Sequence, residues 1–153
     1  MERTFVAIKP DGVKRGLIGE IIKRFEQKSY KIIAMKMLNV TDETAAKHYE
    51  EHFGKPFYPS LIKFITSGPI VAMAIEGNNV IKGVRHIVGA TNPDEGDVGT
   101  IRADFSSYST TNLVHASDSP ESAARELNLY FKEEEYCPNY RIMSEIVIED
   151  LSK

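Results

Sequence analysis

Apolar residues recur along the chain in two periods, and the switches between them outline its elements. Thr4 to Lys9 reads as a short buried strand closed by the turn residues Pro10-Asp11-Gly12. From about Leu17 the spacing becomes helical: Leu17, Ile21 and Phe25 lie one turn apart, with Ile18 and Ile22 beside them. Lys31 to Val40 predicts a second strand, and helical stretches follow at Glu43 to His52 and Pro59 to Thr66, divided by Gly54-Lys55-Pro56. Ile70 to Ile75 predicts a third strand. Asn79 to Val88 is helical, with Val80, Val84 and Ile87 or Val88 on one face. Gly89 to Thr111 then loses apolar periodicity, and a loop of that length within a domain is usually functional. Asn112 to Ser117 returns to a strand. Ser119 caps a helix with Pro120 at its first position, Glu121 in its first turn and a stripe of Ala123, Leu127 and Tyr130 or Phe131.

The order of strands and helices predicts an α+β fold of the split βαβ, ferredoxin-like kind, a four-stranded antiparallel sheet with helices over one face. No linker, repeat or low-complexity segment divides the chain, so residues 1–153 are expected to form one domain. A chain of this size buries about two thirds of its unfolded surface and needs no staple. Its composition, 42% hydrophobic and 27% charged, is that of a globular protein. No apolar run approaches the ~20 residues of a membrane span, and Met1-Glu2-Arg3 opens no signal-peptide pattern. Cys137 is the only cysteine, which excludes an intrachain disulfide; a cytoplasmic location is expected. The net charge of −3 argues against a general grip on nucleic acid, so any phosphate binding must come from local Lys and Arg.

Neither a Gly-x-x-x-x-Gly-Lys-Ser/Thr loop nor a Gly-x-Gly-x-x-Gly turn occurs. His48-Tyr49-Glu50-Glu51-His52 matches the H-x-x-E-H pattern of a zinc-hydrolase helix, but a third ligand would have to come from elsewhere. The ordinary reading is a solvated helix face carrying two His one turn apart. The third constellation is Asn112-Leu113-Val114-His115-Ala116-Ser117-Asp118-Ser119. Small residues at 116 and 117 leave the imidazole accessible, and the long polar loop ends just before it. Glu126 borders the buried stripe of the next helix, where a carboxylate needs a partner.

These segments, with several others, resemble the nucleoside diphosphate kinases over nearly the whole chain. The likeness rests on Thr4-Phe5-Val6-Ala7-Ile8-Lys9-Pro10-Asp11-Gly12-Val13, Arg15-Gly16-Leu17-Ile18-Gly19-Glu20-Ile21, Ser67-Gly68-Pro69, Gly89-Ala90-Thr91-Asn92-Pro93, Gly99-Thr100-Ile101-Arg102 and Asn112-x-x-His115-x-Ser117-Asp118-Ser119. Ordered motifs at compatible spacings are far more specific than any one of them.

The resemblance implies reversible, ping-pong transfer of a terminal phosphoryl group from a nucleoside triphosphate to a nucleoside diphosphate. His115 is the implied nucleophile, and Glu126 the carboxylate that holds its second nitrogen. Lys9, Tyr49, Arg85, Thr91, Arg102 and Asn112 are implied to surround the nucleotide, Lys9 and Asn112 acting in catalysis as well. The base is expected to stack on Phe57, without readout of its edge, while the phosphates face Arg85, Thr91 and Arg102. Magnesium is expected on the nucleotide phosphates and water, with no direct protein ligand. The family implies a homo-oligomer, a hexamer or alternatively a tetramer. No membrane or specific nucleic acid partner is expected.

Two positions depart from the family pattern. Ala116 stands where Gly is common, adding a methyl beside the nucleophile, and Ser109 falls where an aliphatic residue often covers the other face of the base. Two rival readings remain at this point: a binding module without turnover on the same fold, and a zinc hydrolase using His48 and His52.

Overall fold

The computed structural model describes residues 1–153. Its sheet takes the order β2-β3-β1-β4, from β1 (Glu2–Ile8), β2 (Lys31–Leu38), β3 (Ile70–Gly77) and β4 (Val114–Ala116). Every neighbouring pair is antiparallel. The helices are α1 (Pro10–Lys14), α2 (Ile18–Gln27), α3 (Asp42–His48), α4 (Tyr58–Ile65), α5 (Val80–Val88), α6 (Ile101–Phe105), α7 (Pro120–Tyr130) and α8 (Met143–Leu151). The ferredoxin-like α+β class therefore stands. No helix is long and apolar enough to cross a membrane.

The expected placement of helices over one face does not stand, because both faces of the sheet are covered. Val6 and Ile8 of β1 and Val71, Met73 and Ile75 of β3 pack with Ile21 and Phe25 of α2 and Val80, Val84 and Val88 of α5. Their strand neighbours Phe5, Ala7, Ile70, Ala72 and Ala74 point the other way, onto Ala45 of α3, Ile65 of α4 and Leu127 and Tyr130 of α7. Successive strand residues face opposite sides, so a strand between two layers must be apolar at every position. Phe5–Ile8 and Ile70–Ile75 are apolar throughout, and all are buried.

The loop expected over Gly89–Thr111 contains α6, whose first turn is closed by the Thr100 side chain accepting from Ala103 N–H. The Pro10-Asp11-Gly12 turn is the first turn of α1, and α8 had no counterpart in the apolar pattern because it buries none of its residues. The chain is tied down ahead of α8 by Lys31, whose ammonium donates to the Pro138 carbonyl at 2.8 Å.

Three devices fix the approach to β4. Leu113 is fully buried with φ of 74°, a left-handed conformation that costs a non-glycine residue of order 1 kcal/mol or more. Its N–H donates to Asp11 Oδ2 at 3.1 Å and its carbonyl accepts from Lys9 N–H at 2.8 Å, so the end of β1 and the start of α1 impose the turn. Gly12 completes the arrangement, since a Cβ there would lie 2.8 Å from Ile8 Cγ2 and 3.2 Å from the Leu113 carbonyl oxygen.

Gly12→Ala sets helix propensity, worth up to about 1 kcal/mol in favour of Ala, against an overpacking cost of about 1–3 kcal/mol. The clash should win. Urea unfolding is expected to show a net loss of about 1–2 kcal/mol, and a stability equal to or above the parent would mean that Ile8 yields without cost.

Candidate active site

β4 has three residues, and the alternation of the strand sorts them. Val114 and Ala116 enter the core shared with α2 and α5, while His115, opposite Ala7 of β1, points to the other face. The Ala116 methyl is thus buried on the side of the strand away from the imidazole, and the departure at 116 adds core volume instead of crowding the ring.

α7 brings Glu126 to His115 from the same side. Glu126 is 3% exposed, its Oε1 lies 2.7 Å from His115 Nε2, and it also accepts from Ser117 Oγ at 2.8 Å. Burial pushes the Glu126 carboxyl up, but the hydrogen bonds from His115 and Ser117 outweigh it and hold the group below the usual carboxylate range. The group is therefore an acceptor only, so Nε2 carries the proton and, in the neutral ring, Nδ1 carries the lone pair. No protein group bonds that nitrogen.

The imidazole lines a cavity of about 680 Å³. Lys9, Tyr49, Phe57, Arg85, Thr91, Arg102, Asn112, His115 and Glu126, all nine residues singled out from the sequence, border it, and so does Ser109. At its polar end a chain of bonds runs from Lys9 Nζ to Asn112 Oδ1 at 2.7 Å and from Asn112 Nδ2 to the Thr91 carbonyl at 3.2 Å. Arg85 donates to the Ala116 carbonyl at 3.2 Å. Arg102, 5% exposed, donates to the carbonyls of Gly89 at 3.1 Å, Asn112 at 3.4 Å and Val114 at 2.7 Å. One guanidinium thus ties the end of α5, the loop and β4 together. Burial, then the nearby Arg85, lowers its pKa to about 10, which leaves it charged at neutral pH. Phe57 at the apolar end is 47% exposed and flanked by His52 and by the Lys55 ammonium 5.7 Å from its centroid.

His48 contradicts its expected place on a solvated helix face. It is 6% exposed, its Nδ1 meets the Tyr130 hydroxyl at 3.1 Å, and its ring packs edge-on against His115 with centroids 4.6 Å apart. Burial foremost, and then His115, lowers its pKa to about 3, so it is neutral. Ala45, one turn earlier on α3, is fully buried and shares its face, a burial that the local sequence pattern did not signal. His52 does not join it in a ligand set.

A family model described as nucleoside diphosphate kinase matches residues 2–136. The chain belongs to the nucleoside diphosphate kinase family. It is 53% identical over 145 residues to the nucleoside diphosphate kinase of Bacillus licheniformis, covering 95% of this chain and 98% of that one. To that of Archaeoglobus fulgidus it is 59% identical over 135 residues, covering 88% and 89%. Among solved structures, a nucleoside diphosphate kinase family protein from Babesia bovis superposes with a TM-score of 0.93 at 48% identity, over 96% of this chain and 99% of the other. A halophilic nucleoside diphosphate kinase from Halobacterium salinarum, solved in complex with CDP, gives 0.92 at 43% identity, over 95% and 97%. The nucleoside diphosphate kinase fold and activity are thus those of this chain, and the binding-module and zinc-hydrolase readings fall.

Lys9 supplies a pH test of the site. Burial, reinforced by the positive Arg102 and opposed by Asp11, lowers its pKa from the ordinary 10.5 to about 8. Below pH 8 both folded and unfolded chains hold the proton, and the burial penalty is constant; between 8 and 10.5 the unfolded chain holds a proton that the folded one has lost, so stability rises with pH. The difference in unfolding free energy between parent and Lys9→Met should shift in the parent's favour across that window. A flat difference from pH 7 to 10.5 would show that the amine is not desolvated.

Proposed function

We propose that the cavity takes a nucleoside triphosphate and a nucleoside diphosphate in turn, and that His115 Nδ1 carries the phosphoryl group between them. The observation that carries this reading is the Nε2–Glu126 hydrogen bond, which commits one ring nitrogen and leaves the lone pair on the other. In the first half-reaction the Nδ1–phosphorus bond forms as the bond from phosphorus to the bridging oxygen breaks, and the diphosphate departs. In the second, a terminal oxygen of the incoming diphosphate attacks the same phosphorus and the imidazole leaves. One site serves both halves, hence ping-pong kinetics.

Such transfer depends on alignment and preorganised positive charge, because the moving group spreads its negative charge over its oxygens. Lys9, Arg85 and Arg102 supply the charge in this reading, with Asn112 and Thr91 orienting the phosphates and Tyr49 bordering the reacting end. Arg102 spends three of its donors on backbone carbonyls, so its part is to hold the phosphate-binding loop in place as well as to contribute charge. Phe57 offers the base a π-face alone, and a π-face accepts every base. The CDP held by the Halobacterium salinarum relative supports a nucleotide in the corresponding cavity here.

Magnesium fits this cavity as a passenger of the nucleotide. It prefers six hard oxygen ligands, and Glu126, the buried carboxylate of the site, is already engaged by His115 and Ser117. Its ligands would be phosphate oxygens and water, and it would offset phosphate charge when bound. The family resemblance further supports one domain over residues 1–153, a cytoplasmic location and a homo-oligomer, a hexamer with the tetramer as alternative; sedimentation would count the subunits.

Incubation with ATP and magnesium, then removal of nucleotide, should leave about one acid-labile, alkali-stable phosphate per chain on His115. Label that survives acid and maps to Ser117 or Ser119 would sink the mechanism. Glu126→Gln removes the charge that selects the tautomer and is expected to lower kcat roughly 10²–10⁴-fold with little change in nucleotide affinity. Phe57→Ala should weaken binding by roughly 1–3 kcal/mol, equally for purine and pyrimidine nucleotides. A loss confined to one base class would mean that the base edge is read elsewhere.

A further inference from the structure

The mechanism leaves His48 unused. Its buried imidazole lies beside the His115–Glu126 pair, and His48, His115 and Glu126 each present one ligand atom within 4.8 Å of the others. We propose that these three side chains form a site for a borderline-soft divalent cation, zinc foremost, and that its occupation switches off phosphoryl transfer.

Two imidazoles and a carboxylate with a fourth position open to a cavity are a donor set suited to zinc and poorly suited to magnesium, which favours six oxygens. Zinc bonds of about 2.0–2.2 Å place tetrahedral ligand atoms about 3.4 Å apart. The 2.7 Å His115–Glu126 contact must open slightly and the longer separations close, movements within reach of small side-chain rotations. His48 is prepared as a ligand. Its Nδ1 faces the Tyr130 hydroxyl, the kind of oxygen partner that fixes the tautomer and orientation of a ligating His, and its Nε2 has no hydrogen-bond partner. In the tautomer whose Nδ1–H donates to that hydroxyl oxygen, Nε2 presents its lone pair to the metal.

The inhibition follows from proton accounting on His115. Zinc taken up at Nε2 displaces the proton shared with Glu126; the neutral ring then carries its proton on Nδ1, the nitrogen that must attack phosphorus. Zinc taken up at Nδ1 occupies the attacking lone pair itself. Either way the nucleophile is lost while the ring stays neutral. The inhibition rests on His115 as phosphoryl carrier; the binding does not.

The zinc pair suggested by sequence, His48 with His52, is thereby replaced by another. His48 keeps a ligand role, but its partners come from β4 and α7.

Calorimetric titration of nucleotide-free protein with zinc chloride is expected to give one zinc per chain. His48→Gln and Glu126→Gln should each weaken it at least tenfold, and His52→Ala should leave it within twofold of the parent. Cobalt(II) in place of zinc should give the visible absorption of a four- or five-coordinate ion, absent in His48→Gln. Circular dichroism identifies a variant that has not folded, and the Glu126→Gln result then decides alone. Absence of stoichiometric zinc, an unchanged affinity in the folded variants, loss of binding in His52→Ala, or an octahedral cobalt spectrum would overturn the site. Single-turnover phosphorylation of His115 by magnesium ATP should slow at least tenfold in zinc-loaded protein and recover with a zinc-selective chelator. Bound zinc without slowing would overturn the inhibition, whereas zinc-free protein that fails to take phosphate on His115 would defeat the proposed carrier role instead.

Discussion

The site turns on one short hydrogen bond, from His115 Nε2 to Glu126. It is made between two separate elements, β4 and α7, so its length is set by how α7 seats on the sheet. That seating is apolar: Leu127 and Tyr130, which follow Glu126 on the helix, pack with Phe5 and Ala7 of β1. The same strand pairs with β4 and holds Ala7 opposite His115. A core contact and a ladder thus converge to hold an imidazole and a carboxylate at 2.7 Å without either group choosing its own position. Ser117 supplies the remaining constraint by donating to Glu126 from a buried hydroxyl. A carboxylate buried this deeply survives as an anion only because those donors are present.

Strands, long helices and site residues were legible in the sequence to different degrees, for physical reasons. The stripes of α2, α5 and α7 are amphipathic and each buries one side, so period alone reveals them. The helices over the second face were readable in principle from Phe5–Ile8 and Ile70–Ile75, since a half-exposed strand would alternate and these do not. Short α6 carries Ile101 and Arg102 as its buried residues, too few to register as a period, and its existence depends on the Thr100 cap and on the carbonyls that Arg102 reaches. α8 has no buried stripe to detect.

The cavity-lining residues came from spacing across the whole chain, which resemblance supplied and periodicity could not. Lys9, Phe57, Arg102 and His115 belong to four separate segments, and nothing local says that they meet. His48 shows the opposite failure. Its local pattern suggested a metal helix or a solvated face, and the fold instead buried it, because α3 turns the Ala45 side toward Phe5 and Tyr130.

The clasp made by Arg102 has a bearing on how one cavity can treat many substrates alike. A cation on a free side chain must be collected into place each time a ligand arrives, and the cost of that ordering varies with how well the ligand helps. This guanidinium is bound to three backbone carbonyls of its own chain before anything arrives. Its field is part of the architecture. In the function proposed above, the portion of the substrate that it meets is the polyphosphate, which is common to every nucleotide, so discrimination would have nothing to act on and the enzyme would level the pool it serves.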